Sequence, residues 1–173
     1  MQVCSTLSVG ARGHSYFALT ILIEPTLLGI LLPEDRDPVV AALRAVIAKA
    51  EAEGPQSGMR AVMETAAGEA WSKLDAETQA KRLQALASCM PLIGPHHLGL
   101  CELAVTEADV VGLRPPTLLF YGEESFPFEP AIASRIHTLR PDLRLITAEK
   151  ATHNVHRDRS DLVNAESLAF LGS

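Results

Sequence analysis

Residues 116–125 read Pro116-Thr117-Leu118-Leu119-Phe120-Tyr121-Gly122-Glu123-Glu124-Ser125. The apolar run Thr117 to Tyr121 stops at a glycine and is followed at once by carboxylates, as a buried strand does where it reaches the edge of its sheet. Toward the carboxyl terminus, Ile132, Ile136 and Leu139 recur at helical spacing, and Arg140-Pro141 ends that helix. Leu143 to Thr147 gives a second apolar strand, and Ala151-Thr152-His153-Asn154-Val155-His156 sets His153 in the loop beyond its carboxyl end. Strand, helix and strand form one βαβ unit, which requires parallel pairing and a right-handed crossover. A closing helix over 161–171 places Leu162, Ala165, Leu168 and Ala169 on one face. In open α/β sheets, the carboxyl edge of the strands is where sites are built.

Toward the amino terminus, Ala18 to Ile23 is a short apolar run closed by Glu24 and Pro25, read as a third buried strand. Residues 31–38 read as a turn-rich connector. Asp37 and Pro38 then cap and start a helix through Ala42, Leu43, Val46 and Ile47, and Gly54-Pro55 stops it. A second helix holds Met59, Val62 and Met63, and a third runs from Asp75 through Leu83 and Leu86, with Gly68 and Leu74 marking the break. Pro91, Gly94, Pro95 and Gly99 punctuate the stretch from Met90 to Gly112, where one short helix is expected. The fold class is α/β, with three parallel strands near 19–23, 117–121 and 143–148. The organisation is an irregular segment 1–18, a core of 19–36 and 113–173, and a helical insertion 37–112.

With 173 residues, 47% of them hydrophobic and 21% charged, the chain has apolar material for one core. A net charge of −6 opposes a nucleic-acid role, since the phosphate lattice demands a clustered basic surface and the arginines at 135, 140, 144, 157 and 159 are interleaved with acids. No apolar run reaches the roughly 18 residues needed to span a bilayer, because Glu24, Pro25 and Pro33 interrupt the longest one, so no membrane role is expected. Residues 1–10 lack a basic segment and a long apolar stretch, so a cytoplasmic protein is expected. The cysteines Cys4, Cys89 and Cys101 are too few for a disulfide scaffold, and Cys89 reads as a small buried apolar residue. Adjacent His96 and His97 fall on different faces of any regular element, and His153 with His156 lacks a third partner, so no metal or other cofactor is expected.

Three stretches together, Leu19 to Pro25, Pro116 to Ser125, and Ala151 to His156 followed by Asp161 to Leu171, resemble the carboxyl-terminal half of the α/β-hydrolase fold in its lid-bearing, single-domain branch. The resemblance implies a partial fold of this type, truncated or rearranged ahead of its first recognisable strand. It implies that the insertion 37–112 is a lid, and that His153, after the last strand, is the general base and acid.

An imidazole exchanges protons productively near neutral pH when a carboxylate fixes its orientation. Two places can supply that group here. The family's commoner position follows Gly122, where Glu123 and Glu124 stand without an aspartate. A minority position lies at the end of the preceding strand, where Glu24 ends Leu19 to Ile23. A glutamate closing an apolar strand is costly to desolvate unless something pairs with it, which favours Glu24. For the nucleophile, Gly13-His14-Ser15-Tyr16 matches four positions of the G-x-S-x-G elbow, with Phe17 in place of the last glycine. Only Tyr16 and Phe17 separate Ser15 from the strand, too few for the helix that crosses the sheet at that point.

Two functions of different class follow. One is hydrolysis of an ester or similar small apolar substrate by Ser15, His153 and Glu24, impaired because the nucleophile elbow and the oxyanion segment are incomplete. The other is a non-catalytic remnant acting as a binding module or homo-oligomer through the unpaired edge at 19–23, because an apolar edge is a template for association.

Overall fold

The computed structural model describes residues 19–91, 96, 99, 103 and 105–172, with the backbone alone at 66–70. The described residues divide into two compact units, one within 1–35 and 103–173 and the other within 36–102.

The first unit is built on three parallel strands, β1 (Thr20–Ile23), β2 (Thr117–Gly122) and β3 (Arg144–Ala148), in the order β1-β2-β3. They fall on the three apolar runs read from the sequence, and the sheet with its flanking helices is consistent with a partial α/β-hydrolase-like fold. Central β2 is enclosed on both faces: Leu118, Leu119 and Phe120 have no exposed surface. Burying side chains of that size contributes about 1.5–3 kcal/mol each. Register pairs Ile23 with Phe120 and Gly122 with Ala148, so the three carboxyl ends finish at one edge.

The helices among the described residues include α1 (Pro33–Glu53), α2 (Pro55–Ser72), α3 (Ala76–Ala87), α4 (Glu107–Val111), α5 (Glu129–Leu139), α6 (Val155–Asp158) and α7 (Ser160–Leu171), with a 3-10 turn over Leu28–Ile30. α5 packs against β2 and the 3-10 turn, while α6 and α7 pack against β2. Leu118, Phe120 and Ala148 of the sheet meet Val155 and Val163 of the last two helices in one apolar cluster.

The unit within 36–102 is helical through most of its described length. Val46, Met59, Trp71, Leu83 and Met90 form its core, so Met59 and Met90 serve as filling. Asp75 caps α3 by accepting the Thr78 N–H at 2.8 Å, and the Gln79 amide donates to the Trp71 carbonyl in the last turn of α2 and to the Leu74 carbonyl just beyond it.

Three local readings are corrected. α1 starts at Pro33 rather than at Asp37-Pro38, because Pro33 takes the first helical position, where a missing N–H costs nothing, and Glu34 and Asp35 favour the positive helix end. Pro38 is carried inside α1. α2 runs through Gly68 to Ser72, the turn falling later, where Asp75 offers the next cap; a lone glycine costs a helix only about 1 kcal/mol. Cys89 is a free thiol, half-buried rather than buried. Among the described residues, no helix is long and apolar enough to cross a membrane.

Candidate functional site

Glu24 ends β1 and is 5% exposed. Its φ of 46° lies in the left-handed region, a conformation that costs a residue with a Cβ roughly 1–2 kcal/mol. Such strain persists only where surrounding structure overrides it. Here three donors do so. The Gly122 N–H donates to Glu24 Oε1 at 2.6 Å, while the Ser125 hydroxyl and the His153 ring Nδ1 both reach Oε2 at 2.5 Å. An ionised carboxylate can only accept, so a ring proton belongs on Nδ1, and when the ring is neutral Nε2 is the nitrogen without one.

The loop carrying His153 is placed by close approach to the end of β2. A Cβ on Gly122 would lie 2.4 Å from the Ala151 carbonyl oxygen and 2.5 Å from that of Thr152, so glycine alone lets the loop descend this far. Asp158 then accepts from the Thr152 N–H and hydroxyl at 3.0 and 2.5 Å, closing the loop around His153. The Phe126 ring stands 4.9 Å from the imidazole at a 56° tilt, and Phe128 stacks on Phe126 at 5.3 Å. His153 itself is half-exposed, which gives a molecule from solvent access to a ring whose partner carboxylate is dry.

A second carboxyl belongs to this cluster. Glu129, the first residue of α5, is 1% exposed and accepts the Thr26 hydroxyl at 3.1 Å. Burial, with the Glu24 charge adding to it, pushes the Glu129 carboxyl up from 4.5 to about 7. The hydrogen bond to Glu24 raises the His153 proton affinity above its ordinary value, against the opposing effect of desolvation.

Donor atoms of Glu24, Glu129 and His153 lie within 4.8 Å of one another. The 2.5 Å contact between His153 Nδ1 and Glu24 is a proton-sharing distance; two ligands of one zinc-sized cation, each about 2.0–2.2 Å from it, stand about 3 Å apart or more.

Of the carboxylates weighed from the sequence, Glu24 is the one brought to His153. Glu123 and Glu124 are exposed, and Glu123 accepts the Lys150 N–H instead. Ser15 lies outside the described residues. Glu129, Ser125 and Thr26 were not singled out from the sequence. The available signal was Glu129 at the start of a helix that follows the end of β2, a position that aims a first-turn acid back at the strand edge.

No protein-family model matches the chain, and neither does any curated protein. Among solved structures, the chain is similar to the crystal structure of E-2-(acetamidomethylene)succinate hydrolase, at 14% identity and a TM-score of 0.44 over 99% of this chain and 71% of that one. A likeness that distant carries no argument about activity.

Proposed function

We propose that the chain is a hydrolase of the α/β-hydrolase type, acting on an ester or similar small apolar acyl compound. The observation that supports it best is the bond from His153 Nδ1 to the buried Glu24 carboxylate at 2.5 Å, at the carboxyl edge of a parallel sheet. In this reading Glu24 holds the tautomer and balances the charge of the imidazolium that forms when Nε2 takes a proton from the attacking hydroxyl. Ser15 supplies that hydroxyl. Its oxygen bonds to the acyl carbon, the leaving alcohol receives the proton back from His153, and water then releases the acid by the same exchange. The stacked Phe126 and Phe128 beside the ring favour an apolar acyl or alcohol portion. In the same reading the insertion 37–112 is the counterpart of the lid.

A fluorophosphonate serine probe tests this directly. Covalent labelling of the full chain, lost in Ser15→Ala and strongly slowed in His153→Ala, is the expected result. Absence of labelling in the folded wild type would remove the hydrolase and leave a binding module.

A further inference from the structure

We infer that Glu129 is a positioning residue of this site, a second buried carboxyl that joins Glu24 in setting how firmly the His153 ring holds its proton. Its catalytic meaning rests on the hydrolase reading above; its effect on the ring does not.

The geometry is specific. Glu129 reaches the cluster from α5, Glu24 from the end of β1 and His153 from the loop after β3, so three separate elements converge until their donor atoms lie within 4.8 Å. Thr26, two residues beyond Glu24, donates its hydroxyl to Glu129 Oε1 and ties that side chain to the segment that positions Glu24. A carboxyl almost wholly withdrawn from water is costly to keep unless it is protonated or has a cation near it, and His153 is the cationic group beside it. Two carboxyls this close cannot both ionise cheaply without that cation. Glu129 therefore favours the imidazolium whenever it is itself charged, and its own ionisation is favoured by the same imidazolium. The remaining charged groups nearby on the adjoining turns and on α6, namely Glu123, Glu124, Lys150, His156, Arg157 and Asp158, are exposed and screened by solvent. Ser125 is neutral and donates to Glu24.

A sign follows for stability. Glu129 binds its proton up to about 7 when folded against 4.5 ordinarily, so the native state holds more protons than the unfolded chain across that interval. Stability contributed by Glu129 is complete below 4.5 and is lost as pH rises toward 7. His153, also raised, loses its contribution only above 6.5, and the lowered aspartates Asp75, Asp142, Asp158 and Asp161 act below 3.8. The interval from 4.5 to 6.5 is therefore one in which the Glu129 contribution declines.

The test is an NMR titration of the His153 ring in the full chain, with urea stability measured from pH 4.5 to 6.5. In Glu129→Gln, which keeps size and hydrogen bonding, the His153 midpoint moves down and the fall in stability over this interval flattens. Should that variant fail to fold, Thr26→Val serves: without the hydroxyl Glu129 stays neutral to higher pH, and the His153 midpoint again moves down. A midpoint unchanged in a folded Glu129→Gln, or in Thr26→Val, overturns the inference whatever the activity. If the chain hydrolyses esters, the acid limb of kcat/KM against pH shifts to lower pH in Glu129→Gln. A shifted ring midpoint in a chain with no hydrolytic activity removes the proposed function and leaves the role of Glu129 standing.

Discussion

The carboxyl edge of the sheet and the helical unit within 36–102 are held together by different physics. At the edge, one carboxylate satisfies a backbone N–H, a hydroxyl and a ring nitrogen, each at 2.5–2.6 Å, and a glycine lets two carbonyls approach where no Cβ would fit. In the helical unit, Val46, Met59, Trp71, Leu83 and Met90 share an apolar cluster to which half-buried neighbours such as Val62 and Leu74 add area. Directional contacts fail one at a time and take the geometry with them, whereas apolar burial is spread over many weak contacts and degrades by degrees. The difference teaches that stability and site geometry can be lost separately in this chain.

The largest expected effect on stability therefore lies far from the chemistry. Trp71 is 3% exposed and is the largest side chain of its cluster, so Trp71→Ala is expected to cost about 3–5 kcal/mol in urea unfolding. In the population that remains folded, the His153 titration keeps its wild-type midpoint. A midpoint that moves with Trp71→Ala would break the contrast, since the two regions would then share one network.

Gly122→Ala reverses that pattern. The added carbon meets backbone oxygens at 2.4 and 2.5 Å, and neither can rotate away as a side-chain tip could. Overpacking of this kind costs about 1–3 kcal/mol. The cheapest relief is for the 151–153 loop to lift, which draws His153 from Glu24 and returns its proton affinity toward the ordinary value. A smaller stability loss than that of Trp71→Ala, with a larger change in the ring titration, sharpens the contrast. A ring titration unaltered in Gly122→Ala would show that the loop is placed by something other than this close approach.

The same contrast governs what could be read from the sequence. The strands at 20–23, 117–122 and 144–148 were legible because buried parallel strands are near-continuous apolar runs, and Gly122, Glu24 and His153 stand where those runs end. Glu24 was legible as a desolvated acid that required a partner. Glu129 was not, because its burial depends on α5 packing onto β2, and its place at the start of the helix after β2 is one that a solvated first-turn glutamate would share. Ser125 was hidden for the same reason, its hydroxyl meeting a carboxylate 101 positions away in sequence. The start of α1 was misread because Asp37-Pro38 offers a sound cap and Pro33 an equally sound first position, a choice that local chemistry leaves open.

The smallest expected effect separates conformational cost from steric cost at a second glycine. Gly54 ends α1 with φ of 93° and has nothing within 4 Å of where a Cβ would stand, so it has the strained backbone that Gly122 lacks and none of the crowding. Alanine there meets only the penalty for a positive φ, roughly 1–2 kcal/mol, partly offset by the roughly 0.4–1 kcal/mol that the stiffer unfolded chain returns. A net loss of about 1 kcal/mol in urea unfolding is expected. Gly54→Asn should recover part of it, because asparagine tolerates the left-handed region. Neither substitution should alter the His153 ring titration. If Gly54→Ala instead cost as much as Gly122→Ala, the close carbonyl approach at Gly122 would carry no larger penalty than a positive φ does at Gly54, and the site would lose its claim to a distinctive steric requirement.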